Sequence, residues 1–416
     1  MKVVIIAGGK GTRISSIASE IPKSMIKVEE RPVIEYQVEL AKRYGFNEFI
    51  FIIGHLGEQI ETYFGDGSKW GVSIQYFKEK EALGTAGALT FLTEELKEDF
   101  FVFYGDTVMD VDLLRMWNFH QKKQSDATLF VHPNDHPYDS DLVDIDEEGK
   151  IKNFFNKPHS PEFIGRNLVN AALFIFSPKI LQNIQKGVKL HIEKDVLPKC
   201  LNQGMNLYGY VSPEYVKDMG TPDRYMEVCE DVRSGKVARM NWNNPKFAVF
   251  LDRDGVISKE IDLLSSMDQL ELIDGAGEAI RYINQKGYLA IVVTNQPVIA
   301  RNLCSLDELA EIHAKLETLL GEKQAYLNAI YFCPHHPDAG YPEERKEYKI
   351  QCNCRKPAPG MLFQAAKDWN IDLTNSIMIG DRETDVKAGI NAGVKMSLMI
   401  ERNKPYELLN TLKQIL

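Results

Sequence analysis

Short apolar runs rich in β-branched and aromatic side chains recur along the chain and alternate with longer stretches of helical periodicity. The runs at Lys2–Ala7, Glu48–Ile53, Phe100–Tyr104, Ala127–Val131, Ala248–Leu251, Leu289–Thr294 and Ser376–Ile379 read as strands. Such alternation predicts α/β layers around mostly parallel sheets. VVII, FFVFY, FAVFL and AIVV are apolar at every position, as strands covered on both faces require. Ligands of an open parallel sheet bind beyond the carboxyl ends of its strands, so the residues following these runs are where chemistry is expected.

Between Asp231 and Lys246, in DVRSGKVARMNWNNPK, the periodicity lapses and Asn, Gly and Pro collect; a fresh strand then leads into a DxD pair. A chain of 416 residues exceeds what one core usually organises. The expectation is two domains, residues 1–235 and 247–416, with 236–246 as linker. A hydrophobic fraction of 44% and a charged fraction of 26% suit a soluble globular protein. The net charge of −10 disfavours nucleic acid and anionic membrane as partners, so bound phosphates must meet local cations. No apolar run approaches the roughly 20 residues of a membrane span. MKVVIIAGGKG lacks the layout of a signal peptide, and a cytoplasmic location is expected.

The first strand ends in Gly8-Gly9-Lys10-Gly11-Thr12-Arg13. Glycines there let backbone N–H groups approach a phosphate chain, and Lys10 and Arg13 add positive charge. The turn is neither a Walker A loop nor a dinucleotide GxGxxG, and a tight strand-to-helix turn needs glycine with or without a ligand. Further features join it: Lys23 after Pro22, a second glycine-rich turn at Leu83-Gly84-Thr85-Ala86-Gly87, and Asp106 at the end of a buried strand. Together they read as a phosphate cradle, a base-binding turn and a Mg²⁺ ligand, with Asp218 of KDMGTPDRY as the partner carboxylate.

In this order the motifs resemble those of the sugar-1-phosphate nucleotidyltransferases. The resemblance rests on GGKGTR, the PK lysine, LGTAGA, the GD aspartate, Asn156-Lys157-Pro158, Asn170-Ala171-Ala172, Glu193-Lys194-Asp195 and DMGTP, and covers residues 1–230. It implies that Gly8, Gly9, Gly84 and Thr85 hold the nucleoside, with Lys10, Gly11, Thr12, Asn170 and Asp195 in the binding site. Arg13 and Lys23 would grip phosphates and act in catalysis, Lys157 would meet the sugar phosphate, and Asp106 with Asp218 would carry Mg²⁺. Asn156 stands where that family usually has an acidic residue.

In the second half, Ala248–Leu251 runs into Asp252-Arg253-Asp254-Gly255. One carboxylate can attack phosphorus while the other protonates the leaving oxygen and later activates water. A DxD pair also occurs in turns and helix caps. Thr294 and Asn295 end another strand, Arg355-Lys356-Pro357 brings cations, and Gly380-Asp381 supplies a further strand-end carboxylate. The order of DxDG, T, K and GD resembles the haloacid dehalogenase phosphatases across 247–400. The resemblance implies a nucleophile at Asp252, a general acid/base at Asp254, phosphate ligands at Thr294, Asn295, Arg355 and Lys356, and a Mg²⁺ site at Asp252, Asp254 and Asp381. Asp385 reads equally as support for that site or as an exposed helix residue.

Six cysteines are present, and Cys333, Cys352 and Cys354 crowd beside His335 in Cys-Pro-His…Cys-Asn-Cys spacing. In a reducing compartment such a set favours a metal over a disulfide. Three thiolates and one imidazole close a tetrahedral Zn²⁺ with no open position, a structural site fastening the loop that bears Arg355 and Lys356. His336 is a neighbour of His335 and not a spaced partner. DRDG, TNQ, CPHH and CxCRKP resemble the D,D-heptose 1,7-bisphosphate phosphatases and the related histidinol-phosphate phosphatases. Pro297-Val298 replaces the Ser-Gly that usually follows TNQ in the former, and the segment between Cys333 and Cys352 is longer.

The two resemblances imply two Rossmann-like α/β domains, a nucleotidyltransferase fold followed by a haloacid dehalogenase fold, acting on consecutive steps. Removing the C7 phosphate of a heptose 1,7-bisphosphate leaves the heptose 1-phosphate that a nucleotidyltransferase accepts. The family most like the first half makes GDP-D-glycero-α-D-manno-heptose, so GTP is the expected nucleotide. An upstream kinase and isomerase would be pathway partners, and homo-oligomerisation is left open. Other sugar bisphosphates, histidinol phosphate, or one half acting only as a binding module are the competing expectations.

Overall fold

The computed structural model describes residues 1–9, 20–338, 340 and 344–416. The chain forms two compact units. The first comprises 1–131, 143–156 and 170–243, the second 132–142, 157–169 and 244–416. Two short segments of the N-terminal half thus belong with the second unit, a partition that composition along the chain does not display.

In the first unit, strands Phe100–Tyr104, Lys2–Ala7, Glu48–Ile53 and Ser73–Lys78 lie side by side in parallel, Val3 pairing with Phe101 on one side and Phe49 on the other. Val3, Val4 and Ile5 are fully buried, because side chains pack on both faces of the sheet. Helix Val33–Arg43 buries Ile34, Val38 and Leu40. Val169–Phe176 runs antiparallel to Phe100–Tyr104, so this sheet is mixed where a mostly parallel one was expected. Strands Leu142–Ile145, Ile151–Phe155 and Val169–Phe176 follow one another without an intervening helix. Parallel pairing needs a crossover of about a dozen residues or more, which these connections do not provide as helix.

The second unit holds a five-stranded sheet in the order Ala329–Cys333, Leu289–Asn295, Ala248–Leu251, Ile377–Gly380, Met396–Met399, parallel throughout. Val249, Leu251, Val292 and Ile379 form its core with Ile280, Ile283, Ile312 and Leu316 from helices Ala276–Gln285 and Leu306–Gly321. The second of these helices starts with a reciprocal Ser305–Glu308 capping box. Because all five strands run the same way, Asp252, Thr294, Cys333 and Asp381 emerge at one end of the sheet. No helix among the described residues is long and apolar enough to cross a membrane.

Candidate active sites

At the carboxyl end of the first unit's sheet, Asp106 closes the strand Phe100–Tyr104 and is ion-paired to Lys23. Strand Tyr215–Asp218 pairs antiparallel with Thr107–Asp110, placing Asp218 opposite Thr107, and Met219 N donates to Asp106 O at 3.0 Å. The two carboxylates expected to share a cation therefore sit on adjoining backbone. Arg224 holds Asp218, with Nη1 2.9 Å from Oδ1. Gln37, fully buried, donates to both Tyr104 O and Thr107 O at 2.7 Å and so ties the two ends of the turn carrying Asp106.

The Leu83–Gly87 turn is laced to the segment before Glu193. Leu190 N donates to Leu83 O and Ala86 N to Leu190 O, each at 3.0 Å, while Ile192 N donates to Thr85 Oγ1 at 2.9 Å. Tyr104 Oη donates to Glu193 Oε1 at 2.6 Å, and burial pushes its phenol well above the ordinary value. Gly8 follows the first strand, and a Cβ there would meet Glu79 Oε2 at 2.2 Å. Glu79 reaches over this turn and accepts from Leu83 N at 3.1 Å, joining the two glycine-rich segments; burial raises its carboxyl. Asn170 Oδ1 is buried with no hydrogen-bond partner among the described residues, and Asp195 accepts from His191 N at 2.6 Å. Lys10, Gly11, Thr12 and Arg13 lie outside the described residues. Lys157 falls in the second unit, where its Nζ donates to Asp139 O at 2.6 Å.

In the second unit, Lys356 is 3% exposed, with Nζ 2.9 Å from Asp252 Oδ1 and 2.6 Å from Asp385 Oδ1. Burial alone would lower its ammonium, yet the two carboxylates win and hold it above its ordinary value. Asp252, Asp381 and Asp385 each offer an oxygen within 4.8 Å of the others. Burial raises Asp252, because one ammonium balances only part of three buried charges. Asp381 Oδ2 accepts from Arg402 at 2.5 Å, while its buried Oδ1 has no hydrogen-bond partner among the described residues and only a long ion pair to Arg382 Nε at 3.8 Å. A buried carboxylate oxygen without a hydrogen bond, in an acidic cluster of hard ligands, suits a small divalent cation. Gly255 has φ +81°, and a Cβ there would stand 2.5 Å from Asp381 Oδ2.

Asp254, expected among the metal ligands, is turned elsewhere: its carboxylate is bound by Arg253, Gln296 and Ser258. Burial would raise it, but the Arg253 guanidinium holds it below the ordinary carboxylate value. Asp385 is 1% exposed, which removes the reading of it as an exposed helix residue.

Beside this site, Cys354 Sγ lies 3.2 Å from both Cys333 Sγ and Cys352 Sγ and 3.3 Å from His335 Nδ1. All three cysteines are free thiols, and the four groups form a set that could hold a metal ion. His336 is not part of it. Lys356 N donates to Asn295 Oδ1 at 3.0 Å and Asn295 Nδ2 donates to Lys356 O at 3.1 Å, so the segment leaving Cys354 is clipped to the strand end that bears Thr294. Arg355 Nη1 donates to His335 O at 3.1 Å.

Residues 2–235 match the nucleotidyl transferase family and residues 353–402 a family of HAD-hydrolase-like proteins. Among curated relatives, the D-glycero-beta-D-manno-heptose-1,7-bisphosphate 7-phosphatase of Haemophilus influenzae is 42% identical over 158 residues, 38% of this chain and 83% of that protein. The UTP–glucose-1-phosphate uridylyltransferase of Synechocystis is 31% identical over 286 residues, 65% of this chain and 72% of the relative. A Bacillus anthracis structure described as a glucose-1-phosphate thymidylyltransferase aligns with 56% of this chain and 95% of its own, at 22% identity and a TM-score of 0.51, a likeness of fold.

Proposed function

We propose, for a chain that belongs to the nucleotidyl transferase family and carries a HAD-like phosphatase half, that its two sites catalyse consecutive steps toward a nucleotide-activated heptose. Residues 1–235 would form the transferase domain, 236–246 a linker and 247–416 the phosphatase domain. The observation that carries the reading is the presence, on one chain, of a buried Asp252–Lys356–Asp381–Asp385 cluster and a separate glycine-rich nucleotidyltransferase site.

In the phosphatase, an Asp252 oxygen bonds to phosphorus as the bond from phosphorus to the C7 oxygen of D-glycero-D-manno-heptose 1,7-bisphosphate breaks. Asp254, having taken up a proton from solvent in the substrate complex, supplies it to that oxygen. It then takes a proton from water, whose oxygen bonds to phosphorus as the Asp252 bond breaks and orthophosphate leaves. Lys356, Thr294 and Asn295 orient the phosphoryl group. Asp252, Asp381 and Asp385 would hold Mg²⁺, which adds charge neutralisation for the transferring group. The Cys333, His335, Cys352, Cys354 set would hold Zn²⁺ and fix the clip that presents Lys356.

In the transferase, a phosphate oxygen of heptose 1-phosphate bonds to the α-phosphorus of a nucleoside triphosphate and pyrophosphate leaves. Positioning and charge neutralisation by Lys23, Arg13 and a cation on Asp106 and Asp218 suffice for such a step. GTP is favoured because guanine presents adjacent N1–H and N2–H donors, which one carboxylate accepts together. Glu79, spanning the two glycine-rich turns, is the carboxylate placed for it.

The test is incubation of the protein with Mg²⁺, each anomer of the bisphosphate and each nucleoside triphosphate in turn, with products read by mass spectrometry. GDP-heptose, pyrophosphate and orthophosphate together support both halves. Phosphate without nucleotide sugar discards the nucleotide or acceptor assignment, and an untouched bisphosphate sinks the heptose reading.

A further inference from the structure

Gln296 has no part in the steps just described, yet it is 2% exposed and every polar atom of it is engaged. Its backbone N–H donates to Cys333 O at 2.8 Å, fastening it to the thiol cluster. Its side-chain Nε2 donates to Asp254 Oδ2 at 3.0 Å and to Thr294 Oγ1 at 2.9 Å, and its Oε1 accepts from Arg253 Nη2 at 3.0 Å.

Two chemical consequences follow from these bonds. Since the Thr294 hydroxyl accepts from Gln296, its own proton is left to be donated, which suits a phosphoryl oxygen. Asp254, in turn, is saturated. Its Oδ1 receives Arg253 Nε at 2.9 Å and Ser258 Oγ at 3.1 Å, and its Oδ2 receives Arg253 Nη2 at 2.8 Å and Gln296. A carboxylate has about four lone-pair directions, and four donors fill them. Four donors from three residues thus hold Asp254 in one orientation.

We infer that Gln296 is a positioning residue of the phosphatase site, joining the phosphate anchor Thr294 to the general acid/base Asp254 through the two N–H groups of one amide. It directs the Thr294 proton toward the phosphoryl group. It also fixes the Asp254 carboxylate through its Oδ2, holding the proton carrier in one orientation beside the phosphate anchor. The inference rests on the phosphatase reading and adds to it the residue that fixes the proton carrier relative to the phosphate anchor.

Leaving-group dependence separates this role from a structural one. An alkyl phosphate needs a proton on its departing oxygen, whereas p-nitrophenyl phosphate departs without one. kcat/KM reports the steps through first departure, so it isolates this difference. Q296M removes both amide donors, and the isosteric Q296E removes them with minimal change of shape. Both variants of the full chain are expected to lower kcat/KM about 100-fold on the heptose bisphosphate, within the usual range of general acid catalysis, and about 10-fold or less on p-nitrophenyl phosphate. Equal losses on the two esters, or no loss on either, overturn the inference while leaving the phosphatase reading intact. Wild-type protein that releases phosphate from neither ester overturns both.

Discussion

Individual side chains divide into those whose chemistry is set by charge and those set by burial. Glu79 would act through the charge it presents to a nucleotide, although burial raises its carboxyl. If its carboxylate accepts from two guanine donors, Glu79→Gln is expected to reduce discrimination of GTP over UTP by at least about 10-fold, since hydrogen bonds to a charged group exceed neutral ones by that order. Pyrophosphate release with each nucleotide at limiting concentration is the measurement. His313 is of the second kind. Its ring lies 5.7 Å from Phe332 and its Nε2 is buried without a hydrogen-bond partner among the described residues; burial, assisted by Arg253, lowers its pKa to about 3. The folded imidazole stays neutral while the unfolded one gains a proton below about 6.5. Its contribution is therefore intact above that pH and is lost as pH falls toward 3. At pH 5 the loss is about 2 kcal/mol. Urea unfolding at pH 7 and pH 5 should show this fall in the wild type and a smaller one in His313→Phe.

At the level of strands and loops, the sequence exposed the parallel elements because their side chains are apolar on both faces. Lys2–Ala7, Glu48–Ile53 and Ala248–Leu251 are found as strands over those same residues. The antiparallel arm of the first sheet was not legible, since strands such as Ile151–Phe155 have a mixed burial pattern that periodicity cannot distinguish from loop. The strand-end aspartates could be read from their position after apolar runs. Gln37 and Glu79 could not: an isolated polar residue on a helix or after a strand carries no local signal, and their importance appears only when the backbone they bind is brought to them, whereas Asp385 stood between two readings that its burial decides. The thiol cluster was legible through spacing, and its bond to function through Asn295 was not. Because that clip presents Lys356, Cys352→Ser is expected to cost one equivalent of bound zinc and at least about 10-fold in phosphate release, with nucleotidyl transfer unchanged. Metal analysis beside both activity assays checks it.

For the molecule as a whole, the proposal that the two sites are built from separate residue sets makes the two activities genetically separable. Asp252→Asn is expected to abolish phosphate release and spare transfer to added heptose 1-phosphate, and Asp106→Asn to do the reverse. A mixture of the two variants, supplied with the bisphosphate and GTP, should form GDP-heptose after a lag as the intermediate accumulates in solution. Absence of product from the mixture, with each variant retaining its own activity, would show that the intermediate is not released.

The acidic cluster of the second unit draws its groups from positions as far apart as Asp252, after a strand, and Asp385, in the helix Glu383–Ala392. No partial length of that half holds a working centre. Residues 2–235, in contrast, carry the whole transferase match. At a synthesis rate of about 5–20 residues per second, the remaining 150 residues or so up to Asp385 take on the order of 10–30 s to add. If the two halves act in the proposed order, the half that performs the later reaction has all its residues made first, and the half that supplies its substrate is the last to become competent.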